Sequence, residues 1–175
     1  MDSWMQVIWR TVREEFSDLS NLEDWTRVLL RLLVAALLGA LVGYDREIRN
    51  RSAGLRTHML VALGAAIFII TSTQSGMEID DLSRVVQGII AGIGFLGAGA
   101  ILKLQRDEKI HGLTTAASIW MTAAIGVAAG MGREMTATLS AAITLFVLAG
   151  LYRLESKMTS TSGPGDRKTD VDPDS

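Results

Sequence analysis

The run VVQGIIAGIGFLGAGAIL, residues 85–102, contains GIGFLGAG (Gly92–Gly99), whose glycines are spaced G-x-G-x-x-G with another two positions on. In a soluble protein that spacing marks a dinucleotide site. A strand leads into the glycines, a helix opens at them, and an acid about 20 residues later reaches a ribose. None of that context exists here. The glycines lie inside an unbroken apolar run, and the first acids after it, Asp107 and Glu108, come too soon. In a membrane helix, by contrast, small side chains let two backbones approach closely. Gly88 and Gly92 are four apart, as are Gly94 and Ala98, and with Gly97 and Gly99 they make a groove along the helix. The expectation is that Gly88, Gly92, Gly94, Gly97 and Gly99 serve helix packing. Gly92→Leu or Gly97→Leu would then force neighbouring helices apart.

Four more runs share this character: VLLRLLVAALLGALVGY (28–44), MLVALGAAIFIITST (59–73), TAASIWMTAAIGVAAGM (115–131) and MTATLSAAITLFVLAGLY (135–152). Each has roughly 15–18 residues, and flanking positions extend it toward the ~20 that a bilayer core requires. A helix of a soluble bundle carries polar residues along one face; these runs are apolar or small all round. The fold class is therefore all-α, a polytopic membrane protein of about five transmembrane helices, the second being the shortest. The rest of the composition is exclusionary. There is no cysteine, so disulfides, thiolate metal sites and a cysteine nucleophile are out. Two histidines make a histidine-rich zinc site a poor reading, and a net charge of −2 gives no footprint for nucleic acid.

Lysines and arginines cluster between the runs. One side carries Arg46, Arg49, Arg51, Arg56, Lys103, Arg106, Lys109, Arg153, Lys157, Arg167 and Lys168; the other carries Arg10, Arg13, Arg27, Arg84 and Arg133. By the positive-inside rule the N-terminus lies outside and the C-terminus in the cytoplasm. Residues 1–26 lack the basic start and small-residue cleavage site of a secretory signal. Trp4, Ile8, Val12 and Phe16 instead recur at helical spacing, predicting an amphipathic helix at the outer interface, where Trp4, Trp9 and Trp25 would sit. The organisation is an interfacial segment over 1–26, a transmembrane domain over 27–153 and a polar, disordered cytoplasmic tail over 154–175. Arg31, one turn inside the first run, reads as snorkelling to the outer surface in preference to lining an ion path.

Two polar segments could carry chemistry. In GYDREIRNRSAGLRTHML (43–60), Asp45 and Glu47 end the first span among four arginines, and Gly54 precedes Arg56 and His58 at the start of the second. We expect the Arg56 guanidinium to bridge Asp45, Glu47 or loop carbonyls. Arg56→Lys would then impair function where Arg49→Lys would not. In HGLTTAASIW (111–120), Thr114, Thr115 and Ser118, followed by Thr122, place hydroxyls on neighbouring helix faces, mostly for packing.

These blocks, with GIGFLGAGAIL between them, resemble the MgtC/SapB family of bacterial inner-membrane proteins over about Arg27 to Tyr152. The resemblance implies functional motifs at Arg46 and Glu47, at Gly54, Leu55, Arg56, Thr57 and His58, and at Gly112, Thr114 and Thr115. It implies a role in growth under magnesium limitation or stress adaptation, and, from some members, a membrane protein partner such as the ATP synthase. Homo-oligomers belong to the same set of expectations. The chain is similar to the family's short form, without the ACT-like domain that follows the membrane helices elsewhere.

Two functions compete: a membrane regulator docking on a partner, and a transporter or channel for Mg²⁺ or another ion. No enzyme is indicated, since neither paired acids within a span nor a nucleophile with a base is present, and no cofactor is expected beyond Mg²⁺ itself. No Asp or Glu lies within any of the five runs, and Mg²⁺ prefers carboxylate oxygens. The only candidate metal ligands near a cytoplasmic helix end are Asp45 and Glu47, set among arginines, which favours the regulator. A reporter fused after Ser160 should behave as cytoplasmic and one inserted near Gly76 as periplasmic; matching compartments would remove a span.

Overall fold

The computed structural model describes residues 3–17, 21–102 and 112–161, with side chains over 4–17, 21–101 and 112–150. Lys103, Arg106, Asp107, Glu108, Lys109, His111, Arg167 and Lys168 lie outside the described residues, as do the side chains of Arg153 and Lys157. Among the described residues six helices follow one another: α1 Ser3–Glu15, α2 Leu22–Ile48, α3 Leu55–Gln74, α4 Ile79–Leu102, α5 Leu113–Gly130 and α6 Glu134–Thr161. Helices α2 to α5 are each long and apolar enough to cross a membrane, and Glu134–Gly150 of α6 is a fifth, shorter apolar helix.

Local chemistry sets the helix ends. The first span begins at Leu22, ahead of the expected position 27, because Asn21 caps it: its side-chain oxygen accepts the Asp24 N–H at 2.8 Å, with Glu23 and Asp24 in the first turn. Its 27 residues measure about 40 Å, so the helix overruns the hydrocarbon at its ends. Helix α5 begins after Gly112, whose φ of 95° lies in the left-handed region where a side chain is strained. The second span is not short, because Leu55–His58 add a turn to its apolar run. Helix α6 continues through Thr161, so residues 154–161, assigned above to the tail, are helical; 162–175 lie outside the described residues.

The core forms where α3 is held between α2 and α5. Ala62 and Ala66 are buried with Ala35, Leu38, Val42, Ile125 and Ala129, and α6 adds Ala137 and Ala141. Glycines set the distances. A Cβ on Gly39 would lie 2.8 Å from the His58 carbonyl oxygen and 2.9 Å from the Ala62 Cβ. From the other side, a Cβ on Gly126 would strike the Ala62 backbone, and one on Gly130 would lie 2.8 Å from the Ala66 oxygen. Both helices therefore meet α3 backbone to backbone.

This corrects the glycine assignment. GIGFLGAG does lie within one continuous helix, as expected, but a Cβ on Gly88, Gly92, Gly94 or Gly99 would meet nothing within 4 Å. Of the five only Gly97 is buried, and a Cβ there would lie 3.5 Å from the Ala116 Cβ, an ordinary contact. Helix α4 stands off α3 and leaves an apolar cleft of about 640 Å³, lined by Gly64 and Phe68 on one wall and Gly88 and Gly92 on the other. Glycine spacing shows which face of a helix is small; it does not show whether another helix lies on it.

Arg31 reaches the end of α5. Its Nη1 donates to the Gly130 carbonyl at 3.2 Å, and its guanidinium fills the space where a Cβ on Gly132 would stand. It is an ionic cap on the C-terminus of α5.

Gly126→Ala should therefore lower stability by about 1–3 kcal/mol, as for overpacking a tight core. Gly92→Leu, on the open face of α4, should leave thermal unfolding of the detergent-purified protein near that of the parent.

Candidate functional site

The motif residues converge on the turn joining α2 to α3. The last turn of α2 unwinds through Asn50, whose φ of 52° is left-handed, while the Asn50 and Arg51 N–H groups donate to the carbonyls of Glu47 and Arg46 at 3.0 Å each. Glu47 does not face an arginine. Its Oε2 accepts the Leu55 N–H at 2.7 Å, placing a carboxylate on the N-terminus of α3, where the helix dipole favours negative charge. Gly54 makes this approach possible, since a Cβ there would lie 2.7 Å from the same oxygen. Gly43 does the same for the turn as a whole: its Cβ would lie 2.7 Å from the Leu55 Cα and 3.0 Å from the His58 Cβ.

His58 is fully buried and joins three elements. Its Nδ1 lies 2.9 Å from the Gly54 carbonyl oxygen and its Nε2 lies 3.1 Å from Ser118 Oγ on α5. A carbonyl only accepts, so Nδ1 carries the proton, and in the neutral ring Nε2 must accept from the Ser118 hydroxyl. That hydroxyl also lies 2.8 Å from the Thr115 carbonyl oxygen. One proton thus serves two acceptors, and Thr122 continues the buried line by donating to the Ser118 carbonyl at 2.8 Å.

Arg46 is the buried cation of the site, only 2% exposed. Its Nη1 lies 3.8 Å from Asp45 Oδ2, and Asp45 Oδ1 accepts from Arg49 Nε at 2.9 Å. Nε and Nη2 of Arg46 and Oδ2 of Asp45 are buried with no hydrogen-bond partner among the described residues. Such a charge is costly to hold in a bundle unless its hydrogen bonds are met.

The assembled motif residues are thus Arg46, Glu47, Gly54, Leu55, His58 and Thr115, with Gly112 opening α5. Arg56, Thr57 and Thr114 are exposed, and their side chains make no hydrogen bond or ion pair among the described residues. The bridge expected from Arg56 to Asp45 or Glu47 is absent, because both carboxylates are engaged elsewhere. Asp45 and Glu47 thus serve separate tasks, and among the described residues no three His, Asp or Glu side chains gather as a metal site. Sequence reasoning passed over Gly39 and Gly43, although their four-residue spacing matches that of Gly88 and Gly92. It noted Ser118 only as one hydroxyl among several; its pairing with His58 spans 60 positions and has no local signature.

The sequence profile of the MgtC family matches residues 32–157. The chain is 44% identical over 143 residues to the protein SrpB of Synechococcus elongatus, covering 75% of this chain and 79% of that protein. It is 46% identical over 117 residues to MgtC of Salmonella typhimurium, covering 67% of this chain and 49% of that one. YhiD of Escherichia coli, which its name gives provisionally as a magnesium transporter, is 38% identical over 137 residues, 74% of this chain and 63% of its own length. The chain thus spans about half to two thirds of these last two relatives. No solved structure matches.

Loss of the Glu47 cap should be measurable. Glu47→Ala should cost about 1 kcal/mol of stability and speed amide exchange in the first turn of α3, while Glu47→Gln, which can still accept, should lose less. Arg56→Lys should leave both readouts unchanged.

Proposed function

The chain belongs to the MgtC family, and from that premise we propose that it is a membrane protein of magnesium homeostasis or stress adaptation that works by regulating a membrane protein partner. The carrying observation is how the polar end of the bundle is committed. Glu47 holds the N-terminus of α3, Asp45 faces Arg46 and Arg49, and the buried line inside is His58, Ser118 and Thr122. An ion path for Mg²⁺ calls for free carboxylate or carbonyl oxygens along a wet passage. Here the passage between α2, α3 and α5 is closed by backbone contacts at Ala62 and Ala66. A regulator needs only a rigid bundle and exposed faces, and α4 supplies the least buried of the candidate spans. On this reading the α2–α3 turn faces the cytoplasm, and the membrane ATP synthase is the first partner to look for.

Transport remains the second reading because a relative's name assigns it to that protein. The two are separated by reconstituting the purified chain into liposomes loaded with a Mg²⁺ indicator while identifying membrane proteins that co-purify. The proposal expects flux no greater than in protein-free liposomes, together with a reproducible partner. Mg²⁺ entry that scales with protein content would overturn it in favour of transport.

A further inference from the structure

Helix α1 lies outside the residues matched by the family, so the family relationship says nothing of its purpose. It packs against none of the other helices. Its large apolar side chains are nonetheless gathered on one side, Val7 excepted. Trp4, Ile8 and Val12 form a line at four-residue spacing, flanked by Met5, Trp9 and, one residue past the helix, Phe16; Gln6, Arg10, Arg13 and Glu14 take the opposite side with Val7, and Glu15 intrudes on the apolar arc only at the C-terminal end. Trp9 is 66% exposed and Phe16 80% exposed. A helix of this pattern does not leave such a face in water.

The chain itself limits what can cover that face. Only residues 16–21 separate α1 from the first span, so the end of α1 stays within about 25 Å of the start of α2. Trp25, itself exposed, lies on the first turns of α2, a candidate membrane span, and indole rings concentrate at the ends of such spans. Helix α1 is thus tethered near the start of the first span, with an aromatic face and none of the other described helices against it. Its charges balance, Arg10 and Arg13 against Glu14 and Glu15, with Arg10 Nε 3.8 Å from a Glu14 oxygen. Attraction to anionic headgroups is therefore not what would hold it.

We propose that α1 is an interfacial membrane helix, lying flat on the leaflet from which α2 enters. Trp4, Ile8, Trp9, Val12 and Phe16 sit at the boundary of headgroups and acyl chains, while Arg10 and Glu14 face water. Apolar and aromatic burial recognises the lipid, independent of its charge.

The test uses the full chain in vesicles. In one variant Trp4→Phe, Trp25→Phe and Trp120→Phe leave Trp9 as the reporter. In a second all four tryptophans become Phe and Arg10→Trp reports from the polar face. Equal helix content and elution volume for both show that the bundle is intact. Lipids brominated near the headgroup should quench Trp9 by about half or more, as expected for a ring at the interface, and quench the Arg10→Trp reporter little. Acrylamide should show the reverse order. The Trp9 result should hold in both phosphatidylcholine vesicles and vesicles containing phosphatidylglycerol. Equal acrylamide access on both faces would overturn the proposal by leaving α1 in solution. Protection of Trp9 from both quenchers would overturn it by showing a protein surface, a second copy included, on that face. Quenching by lipid only when phosphatidylglycerol is present would overturn the charge-independent mode of binding.

Discussion

The structure depends on the absence of side-chain volume on both sides of α3. Ala62 meets Gly39 of α2 and Gly126 of α5, and Ala66 meets Gly130 one turn further along. Lipid tails are as apolar as leucine, so burying hydrophobic surface does not by itself draw helices together in a membrane. Close van der Waals contact does, and it requires that backbones approach. The remaining core side chains, Leu38, Val42 and Ile125 among them, fill the space that this approach defines.

Helix α2 is tied at its two ends to two different helices, each time with the charge that the neighbouring terminus favours. Near its C-terminus Glu47 accepts from the first N–H of α3; near its N-terminus Arg31 donates to the last carbonyl of α5. Both ties need glycine beside them, Gly54 for the carboxylate and Gly132 for the guanidinium. Gly132 also has a φ of 71°, which independently favours glycine. Packing fixes how close the helices stand, and these ties fix how far each one slides along its axis.

That frame positions the buried polar line. His58 can hydrogen-bond Ser118 only because Gly39 and Gly43 let α3 lie against α2, leaving the ring directed toward α5. Arg46 is enclosed at the same end, with part of its guanidinium unmatched among the described residues. Helix α4 takes little part in any of this. Apart from Gly97, its glycines border a cleft and open surface, which sets α4 apart from the closely packed α2, α3 and α5.

The sequence by itself determined that the chain is helical and membrane-spanning, because uncharged runs near the bilayer length admit few other folds. It also singled out 43–60 as the polar segment, and the repeated aromatics of residues 4–16 as an amphipathic helix. Only the tertiary structure decided which small residues lie in contact. Gly88 and Gly92 share their spacing with Gly39 and Gly43 and with Gly126 and Gly130, yet only the latter two pairs face another backbone. Only the tertiary structure showed that Arg46, rather than Arg56, is the enclosed guanidinium, that Glu47 caps a helix, and that Ser118 is the partner of His58. The reason is the same in each case. Hydropathy and spacing are properties of one helix, whereas contact depends on the rotation and offset of a second helix, which residues far away in the chain determine.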